Sequence, residues 1–139
     1  MARLPEMAVP PTKALTVVEK VKTHRDARGA LFEPLCESEL AAQKNVHVVL
    51  TQPNEIRGNH SHLTATEITS VVGPCLVRLK ESGTVRDLHV PAGEIWRLQI
   101  PPGVVHAFRN TGEGVMILVS FSSAVHDASG ADTLRKVIL

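Results

Sequence analysis

Arg57-Gly58-Asn59-His60-Ser61-His62-Leu63-Thr64-Ala65-Thr66-Glu67 is the stretch on which the reading of this chain turns. His60 and His62 are separated by one residue. On an extended strand, side chains two apart leave on the same face, so both imidazoles can aim at one point. Glu67 opens the next β-rich run and can return to that point. Downstream, Pro101-Pro102-Gly103-Val104-Val105-His106 places a third imidazole just past a forced turn. Three neutral nitrogens and one carboxylate form a ligand set suited to a divalent transition metal.

Working outward, the chain reads as strands and turns. Leu15–Val21, Ala30–Glu33, Val46–Leu50, Glu67–Val72, Cys75–Lys80, Val85–Val90, Ile95–Ile100 and Val115–Phe121 are rich in β-branched or alternating apolar residues. Gly73-Pro74, Ser82-Gly83, Pro91-Ala92-Gly93, Pro101-Pro102-Gly103 and Thr111-Gly112-Glu113-Gly114 punctuate them. Short strands with frequent turn signals predict an all-β fold, a small antiparallel β-barrel or jelly roll. The segment Glu37–Lys44 is the one helix expected, with Ser38 as its cap. His24–Gly29 is expected to be a polar turn. Residues 131–139 fit a strand or a helical turn equally well. Residues 1–14, with Pro5, Pro10 and Pro11, are expected to be a flexible tail, and residues 15–139 one domain. Asn110 is expected to brace the turn that follows it, and Trp96 to serve as core or interface filler.

Composition narrows the function classes. The formal net charge is +1, and no Lys/Arg run forms a patch that would track phosphates, so nucleic acid is not an expected partner. Tyr is absent and aromatic residues are 3%, which leaves no platform for stacking bases. No apolar run approaches a membrane span. Cys36 and Cys75 form no CxxC pair and fit reduced thiols in a cytoplasmic protein. Taken singly, His24, His47, His89 and His126 read as ordinary surface or core histidines.

The pattern Gly58-x-His60-x-His62-x4-Glu67-x5-Gly73, followed by Pro102-Gly103-x2-His106-x3-Asn110, resembles the two motifs of the cupin superfamily over Arg57–Phe121. That resemblance implies a barrel with a metal in its mouth, held by His60, His62, Glu67 and His106; the ion is Zn, Ni, Mn or Fe. Asp26-Ala27-Arg28-Gly29-x2-Phe32-Glu33 resembles a segment of nucleotide-sugar 3,5-epimerases, where the Arg and Glu help hold the nucleotide, often across a dimer interface. Arg57-Gly58-Asn59-His60 resembles the RGxH signature of that family and of the sugar 3,4-ketoisomerases. There the Arg meets the diphosphate and the His is the base. RGNHxH with a following Glu is similar to the metal-binding cupin domain of capsular polysaccharide enzymes. Ser122-Ser123-Ala124-Val125-His126-Asp127 resembles the Ser-x-x-Tyr-Asp region of these enzymes, with His126 in the Tyr position.

The resemblance implies a metal-dependent cupin that abstracts a proton beside the carbonyl of a nucleotide-linked ketosugar. Such an epimerase or isomerase would serve polysaccharide or deoxysugar biosynthesis, as a homodimer. His60 and Glu67 are the implied catalytic residues, and Arg28, Glu33 and Arg57 the implied substrate-binding ones. Either His60 is a ligand and another group, Glu67, His47 or Lys80, transfers the proton, or the site is metal-free and His60 is the base. The 3,5-epimerases reprotonate with a Tyr that this chain lacks. Two other classes are compatible with the ligand set: a metal-dependent oxidase or dioxygenase of a small molecule, and a non-catalytic sugar-binding cupin.

Overall fold

The computed structural model describes residues 15–126 and 129–139. The tail expected over residues 1–14 lies outside the described residues. Strand β1 (Val17–Lys20) leads to a small hairpin, β2 (His24–Asp26) and β3 (Gly29–Leu31), then to helix α1 (Glu37–Leu40). Nine strands follow: β4 (Asn45–Thr51), β5 (Ile56–His62), β6 (Glu67–Val72), β7 (Cys75–Glu81), β8 (Thr84–Val90), β9 (Ile95–Ile100), β10 (Val105–Asn110), β11 (Met116–Ser122) and β12 (Thr133–Arg135). With β1 they form two five-stranded sheets, β1-β9-β6-β11-β4 and β12-β5-β10-β7-β8, with every pairing antiparallel. This is the small all-β barrel the sequence predicts.

The period-2 pattern explains the closure. Val77 and Leu79 on β7, Leu98 and Ile100 on β9, Val71 on β6, Leu118 on β11 and Phe108 on β10 all turn inward into one core. Trp96 packs against that core from a partly buried position. Burying such side chains supplies about 1.5–3 kcal/mol each, the main force holding the sheets together.

One end of the barrel is drawn tight by small residues. Gly73 donates its N–H to Glu94 O at 2.9 Å, and a Cβ at Gly73 would sit 2.0 Å from Pro91 O. Asn110 braces the β10–β11 turn as expected. Its Nδ2 donates to Thr51 O (2.9 Å) and Gly114 O (2.7 Å), while its Oδ1 accepts from Gly112 N (2.9 Å). The other end is open and polar.

Three local expectations need correction. The His24–Gly29 stretch is not a plain turn; it is most of a β-hairpin, and the guanidinium of Arg25 caps the carbonyl of Gly93. Helix α1 is one turn long and its N-cap is Cys36, not Ser38. Glu39 reaches back to the Cys36 N–H at 2.9 Å and forward to the Arg97 guanidinium on β9. That ion pair pins the turn to the outer face of the sheet, and beyond the helix Lys44 N donates to Ser122 O at 2.8 Å as the chain enters β4. The chain end, undecided from sequence, contains a strand, β12, which covers the edge of β5.

A candidate metal centre at the open end of the barrel

A bulge on β5 builds the site. Gly58 (φ 88°) and Asn59 (φ 57°) both take left-handed backbone, and the β5–β10 register slips between His106 and Ala107. His106 therefore stands opposite His60, while Ala107 stands opposite Gly58. Gly58 is required twice over, because a Cβ would lie 2.6 Å from His106 O. Asn59 is buried and fixed by the chain end: its Oδ1 accepts from Ile138 N (2.9 Å) and Leu139 N (3.1 Å). Its backbone carbonyl accepts from Lys136 N at 2.8 Å.

The loop from His62 to Glu67 is shaped by Asp132, a residue the sequence reading did not single out. The Asp132 carboxylate accepts from Thr64 N (2.8 Å), Thr64 Oγ1 (2.6 Å) and Ala65 N (3.2 Å), and its backbone carbonyl accepts from Leu63 N (2.8 Å). This clamp turns the chain so that Glu67 returns to the point His60 and His62 face. On the other side Gly103 N donates to His62 O at 2.8 Å, tying the turn before β10 to the same place.

Together these devices bring four side chains to one spot. One candidate ligand atom from each of His60, His62, Glu67 and His106 lies within 4.8 Å of the others. Ring centroids are 4.7 Å apart for His60 and His106, 5.0 Å for His60 and His62, and 5.5 Å for His62 and His106. His106 is fully buried, and its Nδ1 lies 3.1 Å from Val104 O. Donation there leaves the Nε2 lone pair facing the cluster, the second-layer arrangement usual for metal-ligating histidines. Glu67 is held likewise: Thr69 Oγ1 donates to Oε1 at 3.1 Å, and Oε2 sits 2.7 Å from His62 Nε2.

The electrostatics fit a cation. Burial pushes His60 down to about 4, with His106 and His62 adding to the effect. Burial also lowers His106. Both rings are therefore neutral with lone pairs available. Burial acts to raise the Glu67 carboxyl, but the His62 contact and the nearby imidazoles outweigh it and hold the group below its ordinary range. The Glu67 carboxylate in turn raises His62. The His62–Glu67 contact is close but misaligned, and the buried Nε2 atoms of His62 and His106 both lack a hydrogen-bond partner. Buried polar nitrogens are rarely left so. The donor set matches what a divalent transition ion requires.

A cavity of about 340 Å³ opens beside the cluster, with His47, His62, Glu67, Ser122, His126 and Asp132 in its wall. Its floor is a polar ladder on the inner face of the first sheet. Asn45, Ser122 and Glu67 stand in one cross-strand row, and His47, Ser120 and Thr69 in the next. The sequence does carry this signal. Asn45-x-His47 and Ser120-x-Ser122 are polar residues at period 2 in otherwise apolar strands.

The other expected site residues lie elsewhere. Arg57 spans the seam between the sheets, with Nη2 on Leu50 O (3.1 Å) and Nε on Thr51 Oγ1 (3.3 Å). Arg28 is exposed and paired with Asp26 at 2.5 Å. Its hairpin leans on Gly93, beyond the Val72–Ile95 end of the β6–β9 pair, whereas Glu67 and Ile100 mark the other end. The length of β6, about 17 Å, separates hairpin from cluster. Glu33 is exposed on the segment after β3. None of the three lines the cavity.

An antiparallel barrel built of two packed five-stranded sheets, with a histidine–carboxylate cluster in its mouth, defines this chain as a cupin-type protein. Comparison with known proteins makes the assignment narrower. Residues 24–134 match the family described as polysaccharide biosynthesis C-terminal domain, and the chain belongs to that family. No curated protein matches the chain.

Among solved structures, the chain is similar to the capsular polysaccharide assembling protein CapF from Staphylococcus aureus. The identity is 22% and the TM-score 0.63, over 85% of this chain and 33% of that one, so the chain spans about a third of CapF. It is also similar to QdtA, a sugar 3,4-ketoisomerase from Thermoanaerobacterium thermosaccharolyticum solved in complex with TDP (21% identity, TM-score 0.67, 87% of this chain and 88% of that one). ChmJ, a 3'-monoepimerase from Streptomyces bikiniensis solved with dTDP-quinovose, shares 15% identity at a TM-score of 0.71, over 86% of this chain and 68% of that one. Among the described residues no helix is long and apolar enough to cross a membrane.

Proposed function

We propose that this chain is a metal-dependent epimerase or isomerase of a nucleotide-linked ketosugar, acting in polysaccharide or deoxysugar biosynthesis in the cytoplasm. The convergence of His60, His62, Glu67 and His106 beside a polar cavity carries the reading. These four residues would hold a divalent ion, and the chemistry it would supply when bound is Lewis-acid polarisation of the sugar carbonyl. In this reading His60 is a ligand rather than the base, because it belongs to the same 4.8 Å cluster as the other three. The polar ladder offers hydrogen bonds to sugar hydroxyls. Arg57 would meet a diphosphate only by releasing Leu50 O and Thr51 Oγ1, and from outside the cavity wall. Arg28 and Glu33 act on the nucleotide of a neighbouring copy, since their own barrel carries its cluster at the far end.

The test combines metal analysis with proton NMR in D2O. Purified protein is expected to carry about one divalent ion per chain. It should also place deuterium on the carbon beside the ketone of TDP- or UDP-linked 4-ketosugars. Absence of both would remove this reading. Oxygen uptake with iron would replace it by an oxidase.

The neighbouring copy is proposed to dock on the outer face of β4. Val46, Val48 and Leu50 point outward there at 54%, 59% and 59% exposure, and no Lys, Arg, Asp or Glu protects the strand. Such an apolar edge strand is a hazard in a free monomer. Sedimentation equilibrium is expected to give a dimer for the wild-type protein and a monomer for Val48→Lys.

A further inference from the structure

With His60 among the ligands, the proposed reaction needs a different group to take the proton. We propose that His47 is that catalytic residue: the imidazole that lines the substrate cavity from β4, an edge strand of the sheet that carries Glu67. This inference rests on the function proposed above and adds a residue to it.

The argument is positional. His47 lines the same cavity as His62 and Glu67, yet it does not belong to the four-residue cluster. It sits on β4, and Ser120 and Thr69 continue its row across β11 and β6. Two strand spacings, about 10 Å, separate its backbone from that of β6. β11 fills that interval with the short side chain of Ser122, so a sugar ring lying over it in the cavity would meet His47 on one side and Glu67 on the other. A group on a paired strand is also held more firmly than one on a loop. His126, the other cavity histidine outside the cluster, follows β11 on the connecting segment and has no ladder to fix it.

Asn45 stands two residues earlier on the same face, with its side-chain amide nitrogen 3.5 Å from His47 Nδ1. A basic Nε2 requires the proton on Nδ1, so the Asn45 amide serves by presenting its oxygen, the acceptor, to Nδ1–H and leaving the Nε2 lone pair for the substrate. Lys80, another cationic side chain considered for the role, lies beside Lys136 and outside the cavity.

The step balances without a further reactant. The C–H bond beside the ketone breaks and its proton passes to the free imidazole nitrogen of His47. The electron pair becomes the carbon–carbon double bond as the carbonyl oxygen takes the charge. Return of a proton to carbon from the imidazolium, after exchange with solvent, restores the ketone and the neutral ring. A positioned proton-transfer group of this kind contributes about 10²–10⁴-fold.

The test measures deuterium uptake from D2O into TDP-4-keto-6-deoxyglucose by NMR, with metal content measured on the same samples. Wild type, His47→Gln and His47→Ala are compared. Both variants are expected to keep the wild-type metal content and to lose at least about 100-fold in exchange rate. Added imidazole should restore part of the rate to His47→Ala. Exchange at the wild-type rate in both variants would overturn the role of His47 while leaving the proposed function intact. Loss of metal from the variants would assign the ring to the cluster and overturn it too. No exchange by wild type with this or UDP-linked ketosugars would remove the proposed function and the residue's role with it.

Discussion

Glu67→Gln is expected to empty the metal centre while the barrel stays folded. Glutamine fills the same volume, so packing against Ile100 and Thr69 is kept. What disappears is the only negative charge among the four clustered groups. Without it, three neutral imidazoles face the ion. Removing a residue that merely supports a ligand costs about 10–100-fold in affinity, and loss of the charged ligand itself should exceed that range. Metal analysis after dialysis is expected to show less than a tenth of the wild-type content. His62→Ala should lower the content several-fold. Circular dichroism of both variants should match wild type. Undiminished metal in either variant would contradict the ligand set.

The second large effect is expected at Gly58→Ala. Left-handed backbone at a non-glycine residue costs about 1–3 kcal/mol. The new methyl would also lie 2.6 Å from His106 O and 3.1 Å from the Cα of Ala107, both rigid strand backbone. Forcing β10 outward adds about 1–3 kcal/mol. The sum, about 4 kcal/mol, should lower the melting temperature by roughly 10 °C. Because the displaced strand carries His106, metal content should fall together with stability. Gly114→Ala is the control: nothing lies within 4 Å of its Cβ position. It should leave both quantities unchanged. A Gly58→Ala protein as stable as wild type would mean that the bulge is not built as described.

The cluster was legible in the sequence because its information is local. The His60-x-His62 step fixes two side chains on one strand face, and the Pro-Gly turn before His106 fixes the start of another strand. The long-range parts were not legible. Nothing near Thr64 announces that Asp132 will clamp it, since the partners are 68 residues apart. The β2–β3 hairpin has strands of three residues with no apolar alternation, so its turn residues dominated the reading. Asn59 takes left-handed backbone that its type tolerates but does not demand. The Glu39–Arg97 pair that ties the short helix to β9 joins residues 58 apart, which no local propensity encodes. His47, one histidine among seven, reads as an ordinary strand residue until the ladder sets it in the cavity wall.

The four clustered groups do not share a sheet. His60, His62 and His106 stand on one, and Glu67 stands on the other. A bound ion would thus act as a rivet across the mouth, joining two layers that are held elsewhere by apolar packing and by the bonds of Arg57 and Asn110 to β4. Each tenfold excess of free ion over its dissociation constant would then tighten the closed form by about 1.4 kcal/mol. The supply of metal in the cell would govern how long the empty protein survives proteolysis as well as how fast the loaded one works.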